Sequence, residues 1–162
     1  MRLQFHILNF GAILKGFNKK NNKISAELEN LKIYITQDGS LSLYSSTYRE
    51  KFHDTNGALK ESIEKYLIPA QIDNFSQSEQ ISILDVCTGM GYNSGCILEA
   101  LLNTDIRIEW HGLEADPKPL KIALKQKIFK KTWSQKVLNF FTSLESSGRW
   151  IEGLNYGTIH WG

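Results

Sequence analysis

Ile81-Ser82-Ile83-Leu84-Asp85-Val86-Cys87-Thr88-Gly89-Met90-Gly91-Tyr92-Asn93-Ser94-Gly95 reads as the end of one element, a bend and the start of another. Its first six residues include two Ile, a Leu and a Val without strict alternation, which is the pattern of a strand buried on both faces of a parallel sheet. Gly89 and Gly91 follow, and Cys96-Ile97-Leu98-Glu99-Ala100-Leu101-Leu102 then has helical periodicity. Strand, glycine turn and helix form the first unit of a nucleotide-binding α/β fold. Glycine lets the backbone approach a ligand and take positive φ, and the helix that starts there presents unpaired N–H groups.

The spacing selects the ligand. A dinucleotide fingerprint runs G-x-G-x-x-G with no required acid in its first strand. Here three residues separate Asp85 from Gly89. An acid there repels a pyrophosphate and attracts a cation, so the pattern favours S-adenosylmethionine, with its ammonium and sulfonium and no phosphate. Gly89, Gly91 and Gly95 also spell G-x-G-x-x-x-G. A nicotinamide-dependent oxidoreductase is therefore the alternative enzyme. The bland alternative is a buried strand and an ordinary turn with Asp85 as a cap.

A second strand, Ile106-Arg107-Ile108-Glu109-Trp110-His111-Gly112-Leu113-Glu114, ends in an acid 23 residues after Gly91. An acid at that place accepts hydrogen bonds from ribose hydroxyls. Both cofactors carry a ribose, so Glu114 supports the class of site and not the choice of ligand.

The 162 residues allow one domain with a real core, and 41% hydrophobic with 22% charged residues fits a globular chain. The net charge of +2 neither demands nor excludes a nucleic acid. Cys87 and Cys96 read as reduced thiols of a cytoplasmic protein, with no disulfide framework and no metal site. The apolar run 3–14 is interrupted by Gln4, His6 and Asn9 and is too short for a membrane span, which needs about 20 apolar residues.

Residues 1–30 read as an N-terminal extension, with basic residues 15–23 as a solvated connector or, less favoured, a phosphate-binding arm. Leu31–Thr36 and Leu41–Tyr44 alternate around Asp38-Gly39, which predicts a hairpin with a type I′ turn. An aromatic, polar loop over 45–56 leads to a helix over 57–68, with Leu59, Ile63, Tyr66 and Leu67 on one face and Pro69 as its stop. Asp54, Thr55 or Asn56 is its expected N-cap. Residues 73–80 read as a polar spacer. Further helices are predicted over 120–124 and 133–145, a loop over 148–155 and a third strand over 158–161. A doubly wound sheet usually has about five or more strands. Three alternating strands predict a partial Rossmann-like sheet whose C-terminal strands are missing, in residues 31–162.

With those residues placed, Asp85-Val86-Cys87-Thr88-Gly89-Met90-Gly91-Tyr92-Asn93 and Gly112-Leu113-Glu114-Ala115-Asp116-Pro117 resemble the class I S-adenosylmethionine-dependent methyltransferases. Together with Phe52-His53-Asp54-Thr55-Asn56-Gly57-Ala58-Leu59-Lys60-Glu61 and the hairpin, the chain looks like the N-terminal part of the MnmC-type methyltransferase domain. That family completes 5-methylaminomethyl-2-thiouridine at the tRNA wobble position. The resemblance implies cofactor contacts at Asp85, Gly89, Gly91, Tyr92 and Glu114, with Gly57 and Glu61 as wall residues. It implies tRNA as partner; the catalytic base is unassigned, with His53, Asp54 and Glu61 as candidates. In the family, a strand like 158–162 continues into an Asp-Ala pair, and the sequence stops before it. A non-catalytic remnant that binds S-adenosylmethionine or a protein partner is therefore the non-enzyme alternative. Lysines 118, 121, 125, 127, 130 and 131 crowd one segment, as an aid to tRNA binding or, more commonly, a solvated helix face.

Overall fold

The computed structural model describes residues 3–8, 30–75 and 80–162. The basic connector and part of the polar spacer lie outside the described residues. Two sheets are present. In chain order the strands are β1 (Leu3–Leu8), β2 (Leu31–Ile35), β3 (Leu41–Ser45), β4 (Glu50–Lys51), β5 (Gln80–Val86), β6 (Arg107–Glu114), β7 (Arg149–Glu152) and β8 (Asn155–Trp161). The helices are α1 (Ala58–Ser62), α2 (Ile68–Ala70), α3 (Tyr92–Leu101), α4 (Lys118–Lys125), α5 (Lys127–Thr132) and α6 (Gln135–Ser147). The larger sheet has the order β1-β5-β6-β8-β7, parallel except for β7, and the smaller one the order β2-β3-β4.

The central strands explain where the helices go. Right-handed crossovers that advance in one direction, β5 to β6 to β8, place their helices on one face. That face carries Ile81, Ile83 and Asp85 from β5 and Ile108, Trp110 and Gly112 from β6, all buried. Trp110 is fully buried, and its ring meets Phe140 of α6 edge-on, with centroids 4.9 Å apart. A slot of glycines admits it: a Cβ at Gly112 would stand 2.2 Å from its ring, and one at Gly157 3.3 Å. Burying an aromatic ring of this size contributes about 4–6 kcal/mol as an upper bound. The opposite face is mixed: Leu84, Val86 and Leu113 lie on it beside a polar cluster in which Gln80 and Ser82 donate to Glu109, and His111 bridges Glu109 and Thr158.

Several expectations are corrected. Residues 3–8 form a strand of the main sheet, in register with β5 from Leu3↔Ile81 to Leu8↔Val86. The expected loop over 148–155 holds β7, which turns into β8 at Gly153-Leu154. Gly153 has φ +62, as a type II′ hairpin requires at its first central position. The sheet accordingly has five strands where three were counted. A separate helix, α5, stands between the two that periodicity indicated.

β2 and β3 pair antiparallel, but their connection is not a type I′ turn. Only Gly39 has positive φ (+82), the N–H of Gly39 donates to the Thr36 carbonyl, and that of Thr36 to the Ser40 carbonyl. This is a type I turn closed by a left-handed glycine. The reason is Asp38. Its Oδ1 accepts from Thr36 Oγ1, the Ser40 N–H and Ser40 Oγ, and its Oδ2 accepts from the Lys60 N–H. Burial works to raise this carboxyl, yet those bonds outweigh it and hold it down at about 2.

The same turn caps α1. Asp54, Thr55 and Asn56 do not; Gly57 is the N-cap residue, and Ser40 Oγ accepts from the N–H groups of Ala58 and Leu59. Pro69 does not stop the helix either. A π turn over Ile63–Leu67 intervenes, with the Ile68 N–H donating to the Ile63 carbonyl. The i−4 ladder is already broken there, so the missing N–H of Pro69 removes nothing, and the chain ends its helix at Gln71 with φ +49.

Candidate functional site

β5 ends at Val86, and the backbone then bends sharply toward α3. Cys87, Gly89 and Gly91 take φ +62, +58 and +88. A non-glycine residue at positive φ is uncommon, and such strain concentrates where the surroundings over-determine the backbone. The Cys87 N–H is held by the Leu113 carbonyl of β6 at 2.8 Å, and the Gly91 N–H by Thr88 at 2.8 Å. The turn therefore rests on the neighbouring strand. At the first turn of α3 the backbone N–H groups have no intrahelical partner and point into it.

Glu114, the last residue of β6, reaches across. Its Oε2 accepts from the Gly89 N–H at 2.7 Å and its Oε1 from the Asp116 N–H at 3.0 Å. A carboxylate has about four acceptor sites, so two remain for a ligand's hydroxyls. Asp85 lies beneath the turn, 1% exposed. Its Oδ2 accepts from Ser94 Oγ, which in turn accepts from Trp110 Nε1 at 2.8 Å. Asp85 Oδ1 and Thr88 Oγ1 are buried with no hydrogen-bond partner among the described residues. Burial, with the Glu114 charge nearby, pushes the Asp85 carboxyl up to about 7, against the Ser94 hydrogen bond.

That shift gives a signed expectation. The native state holds the Asp85 proton between about pH 4 and pH 7, where the unfolded chain has lost it, so stability falls as pH rises through that window. Asp85→Asn keeps the shape and abolishes the ionisation. Its stability, measured by denaturant unfolding at pH 5 and pH 8, is expected to lack a decline on the order of 3 kcal/mol that the parent chain shows. Equal pH slopes for the two proteins would contradict it.

Phe52 completes this side. A Cβ on Gly89 would lie 3.8 Å from its ring, so Phe52 stands over the turn as an apolar wall. Sequence reasoning noted Phe52 and Thr88 within motifs without assigning them to the site. The lone aromatic just ahead of the His53-Asp54 pair was the available signal.

The other expected residues gather elsewhere. Tyr92 is 1% exposed, its hydroxyl accepts from the Leu41 N–H at 3.1 Å, and its ring meets His53 and Phe129 edge-on. It ties α3 to the small sheet. His53 shares a hydrogen bond of 3.0 Å with Ser42, and burial pushes its imidazole down to about 4 against the charges of Glu61 and Asp38. Glu61 accepts from the Asp54 N–H at 2.7 Å and pairs with Lys65 at 2.7 Å. Asp54 is exposed and accepts from the Asn56 N–H. Gly57 packs against Asp38, where a Cβ would be 2.1 Å from Oδ2. Asp85, Gly89, Gly91 and Glu114 thus converge on one turn. His53, Asp54, Gly57 and Glu61 surround the hairpin and α1 instead, and Ser62 links that segment to Asn93 of α3 at 2.8 Å.

Burial raises both thiols, Cys96 to about 12, so neither is a nucleophile at neutral pH. Among the described residues no His/Cys/Asp/Glu group is arranged to hold a metal ion, and no helix is long and apolar enough to cross a membrane.

The site's chemistry fits a cationic nucleoside. Two acids flank a bend with glycines at 89 and 91, and one buried carboxylate oxygen and one buried hydroxyl have no hydrogen-bond partner among the described residues. An ammonium suits the first, and ribose hydroxyls suit the free acceptor sites of Glu114.

No family model matches the chain. An uncharacterized protein of Methanocaldococcus jannaschii is 34% identical over 99 residues, which are 57% of this chain and 27% of that protein. The crystal structure of MnmC2 from Aquifex aeolicus superposes with a TM-score of 0.64 at 25% identity, over 82% of this chain and 42% of that one. The chain therefore spans less than half the length of either relative, and its fold is MnmC-like, a mixed α/β architecture built on a largely parallel sheet.

Proposed function

We propose that this chain binds S-adenosylmethionine and serves methyl transfer to an aminomethyl-uridine at the wobble position of tRNA. The observation that carries the reading is the acid–turn–acid arrangement: Asp85 below the glycines, its Oδ1 without a hydrogen-bond partner among the described residues, and Glu114 bonded to Gly89 from the next strand. The MnmC-like fold and the family resemblance of the motifs supply the RNA and its modified base. Gly89 and Gly91 let the backbone approach, Asp85 receives the ammonium, and Glu114 receives the ribose. Tyr92 holds the helix start in place from behind, and Gly57 and Glu61 hold the wall segment that presents Phe52.

Bound S-adenosylmethionine supplies an electrophilic methyl group on a sulfonium. The protein's task is then to align an amine with it, and alignment of this kind accounts for much of the acceleration of a two-body displacement. The amine must be unprotonated to attack. His53, Asp54 and Glu61, grouped around α1, are the candidate bases, and burial that holds the His53 imidazole neutral also makes it a weak one.

A nicotinamide-dependent oxidoreductase is the rival reading. The buried acid beside the turn disfavours a pyrophosphate. The direct test is transfer of labelled methyl groups to tRNA from cells lacking the final modification. Label in the wobble base is expected. Absence of transfer at saturating S-adenosylmethionine would overturn the enzyme and leave a chain that binds without catalysis.

A further inference from the structure

Residues 117–144 hold seven of the chain's 19 Lys and Arg and none of its 17 Asp and Glu. The whole chain is near balance at +2, so this segment is a local excess of positive charge. It comprises α4, α5 and most of α6. Lys121 and Lys125 are four apart on α4, and Lys127, Lys130 and Lys131 fall at i, i+3 and i+4 on α5, so each set shares one helix face. All five are exposed. Lys121 lies 3.9 Å from Glu145, whereas Lys125, Lys127, Lys130 and Lys131 form no ion pair with a described residue.

The placement relates this charge to the turn. α4 starts four residues after Glu114. α5 turns Phe129 inward, fully buried, with its ring centroid 5.4 Å from that of Tyr92, the residue after Gly91. The outward lysines of α5 are therefore carried by the helix that packs behind the turn. The chemistry of the face also discriminates between partners. A membrane-surface helix needs a broad exposed apolar side beside its lysines. Here Leu120, Ala123 and Phe129 are buried, and Ile128, 39% exposed, is the large apolar residue of α5 that reaches solvent. Charge without an apolar wedge suits a phosphodiester backbone.

We infer that the outer face of α4 and α5, through Lys125, Lys127, Lys130 and Lys131, is the surface that receives the phosphate backbone of the substrate RNA. The inference rests on the RNA-modifying reading above. It assigns these lysines to positioning the RNA, not to chemistry on the base.

The test uses the full chain and fluorescence anisotropy with labelled bulk tRNA over a salt series. Lys127→Gln/Lys130→Gln/Lys131→Gln is expected to weaken binding about tenfold at 0.1 M salt and to lower the slope of log affinity against log salt by about two. A control that removes three exposed cations elsewhere, Lys32→Gln/Lys51→Gln/Arg149→Gln, is expected to change the affinity less than twofold. Calorimetry with S-adenosylmethionine separates the two claims. Normal cofactor affinity in both variants with RNA affinity lost only in the first supports the inference. Equal RNA binding by parent and α5 variant, or equal loss in the control, overturns it. So does selective loss of binding to vesicles of anionic phospholipid with RNA binding intact. Failure of the parent chain to bind S-adenosylmethionine would sink the functional reading while leaving the RNA comparison legible.

Discussion

Glu114→Ala is expected to weaken S-adenosylmethionine binding about a hundredfold. Glu114 does two things at once. It holds the turn from the neighbouring strand through the Gly89 N–H at 2.7 Å and the Asp116 N–H at 3.0 Å. In the proposed reading its remaining acceptor sites take the ribose hydroxyls. A hydrogen bond to a charged group contributes about 1.5–3 kcal/mol, and about 1.4 kcal/mol is tenfold in affinity. Loss of the ribose contact and loosening of the turn together amount to about 3 kcal/mol. Glu114→Gln removes less, since its amide oxygen still accepts from Gly89 while the charge and the bond from the Asp116 N–H are lost. An intermediate loss is expected for it by calorimetry. Parent-like affinity in the alanine variant would show that the ligand binds elsewhere.

Gly91→Ala is expected to destabilise the fold by about 2–5 kcal/mol and to abolish cofactor binding. Two independent costs meet at this position. The residue has φ +88, where a Cβ is disfavoured, and that Cβ would stand 2.5 Å from the Phe141 ring of α6. Phe141 is fully buried and packs on Phe129 and Trp133, so it has no room to retreat. Gly148→Ala is the comparison. It too has positive φ, +70, but its nearest neighbour would be the Ile159 carbonyl at 3.6 Å, so it carries the backbone cost alone. Denaturant unfolding should rank Gly91→Ala well below Gly148→Ala, and Gly91→Ala/Phe141→Leu should recover part of the difference. Equal midpoints for the two single variants would remove the steric part of the argument.

The turn was legible in the sequence because its own strand, bend and helix are contiguous. Strand, bend and helix follow one another within Ile81–Leu102, and Glu114 ends the next strand. What was not legible depends on partners far away in the chain. Leu3–Leu8 reads as an indifferent apolar run until β5, more than seventy residues on, supplies its hydrogen bonds. The N-cap of α1 was sought beside the helix, among Asp54, Thr55 and Asn56, but Asp38 and Ser40 provide it across the hairpin. That employment of Asp38 is also why Asp38-Gly39 does not form the turn its composition favours. By contrast, β7 was missed despite a local cue: a glycine at 153, the first central position of a two-residue type II′ connection.

The site divides in the same way. The acids and glycines around the turn come together because β5 and β6 are adjacent and in register, with Asp85 opposite Gly112. His53, Asp54 and Glu61 stay together, with Glu61 accepting from the Asp54 N–H and its charge acting on His53, but they gather around α1 and not at the turn. Side-chain direction along a loop has no periodicity from which to read it. Phe52 faces the glycines while His53 beside it faces Tyr92.

The central claim is a binding claim: an acid under the bend and an acid beside it make a seat for a sulfonium nucleoside. Isothermal calorimetry of the full chain with S-adenosylmethionine and, in parallel, with NAD tests it without need of a substrate. Saturable binding of S-adenosylmethionine, weakened in Glu114→Ala, with no heat from NAD, is the predicted result. Binding of NAD alone, or of neither, would contradict it.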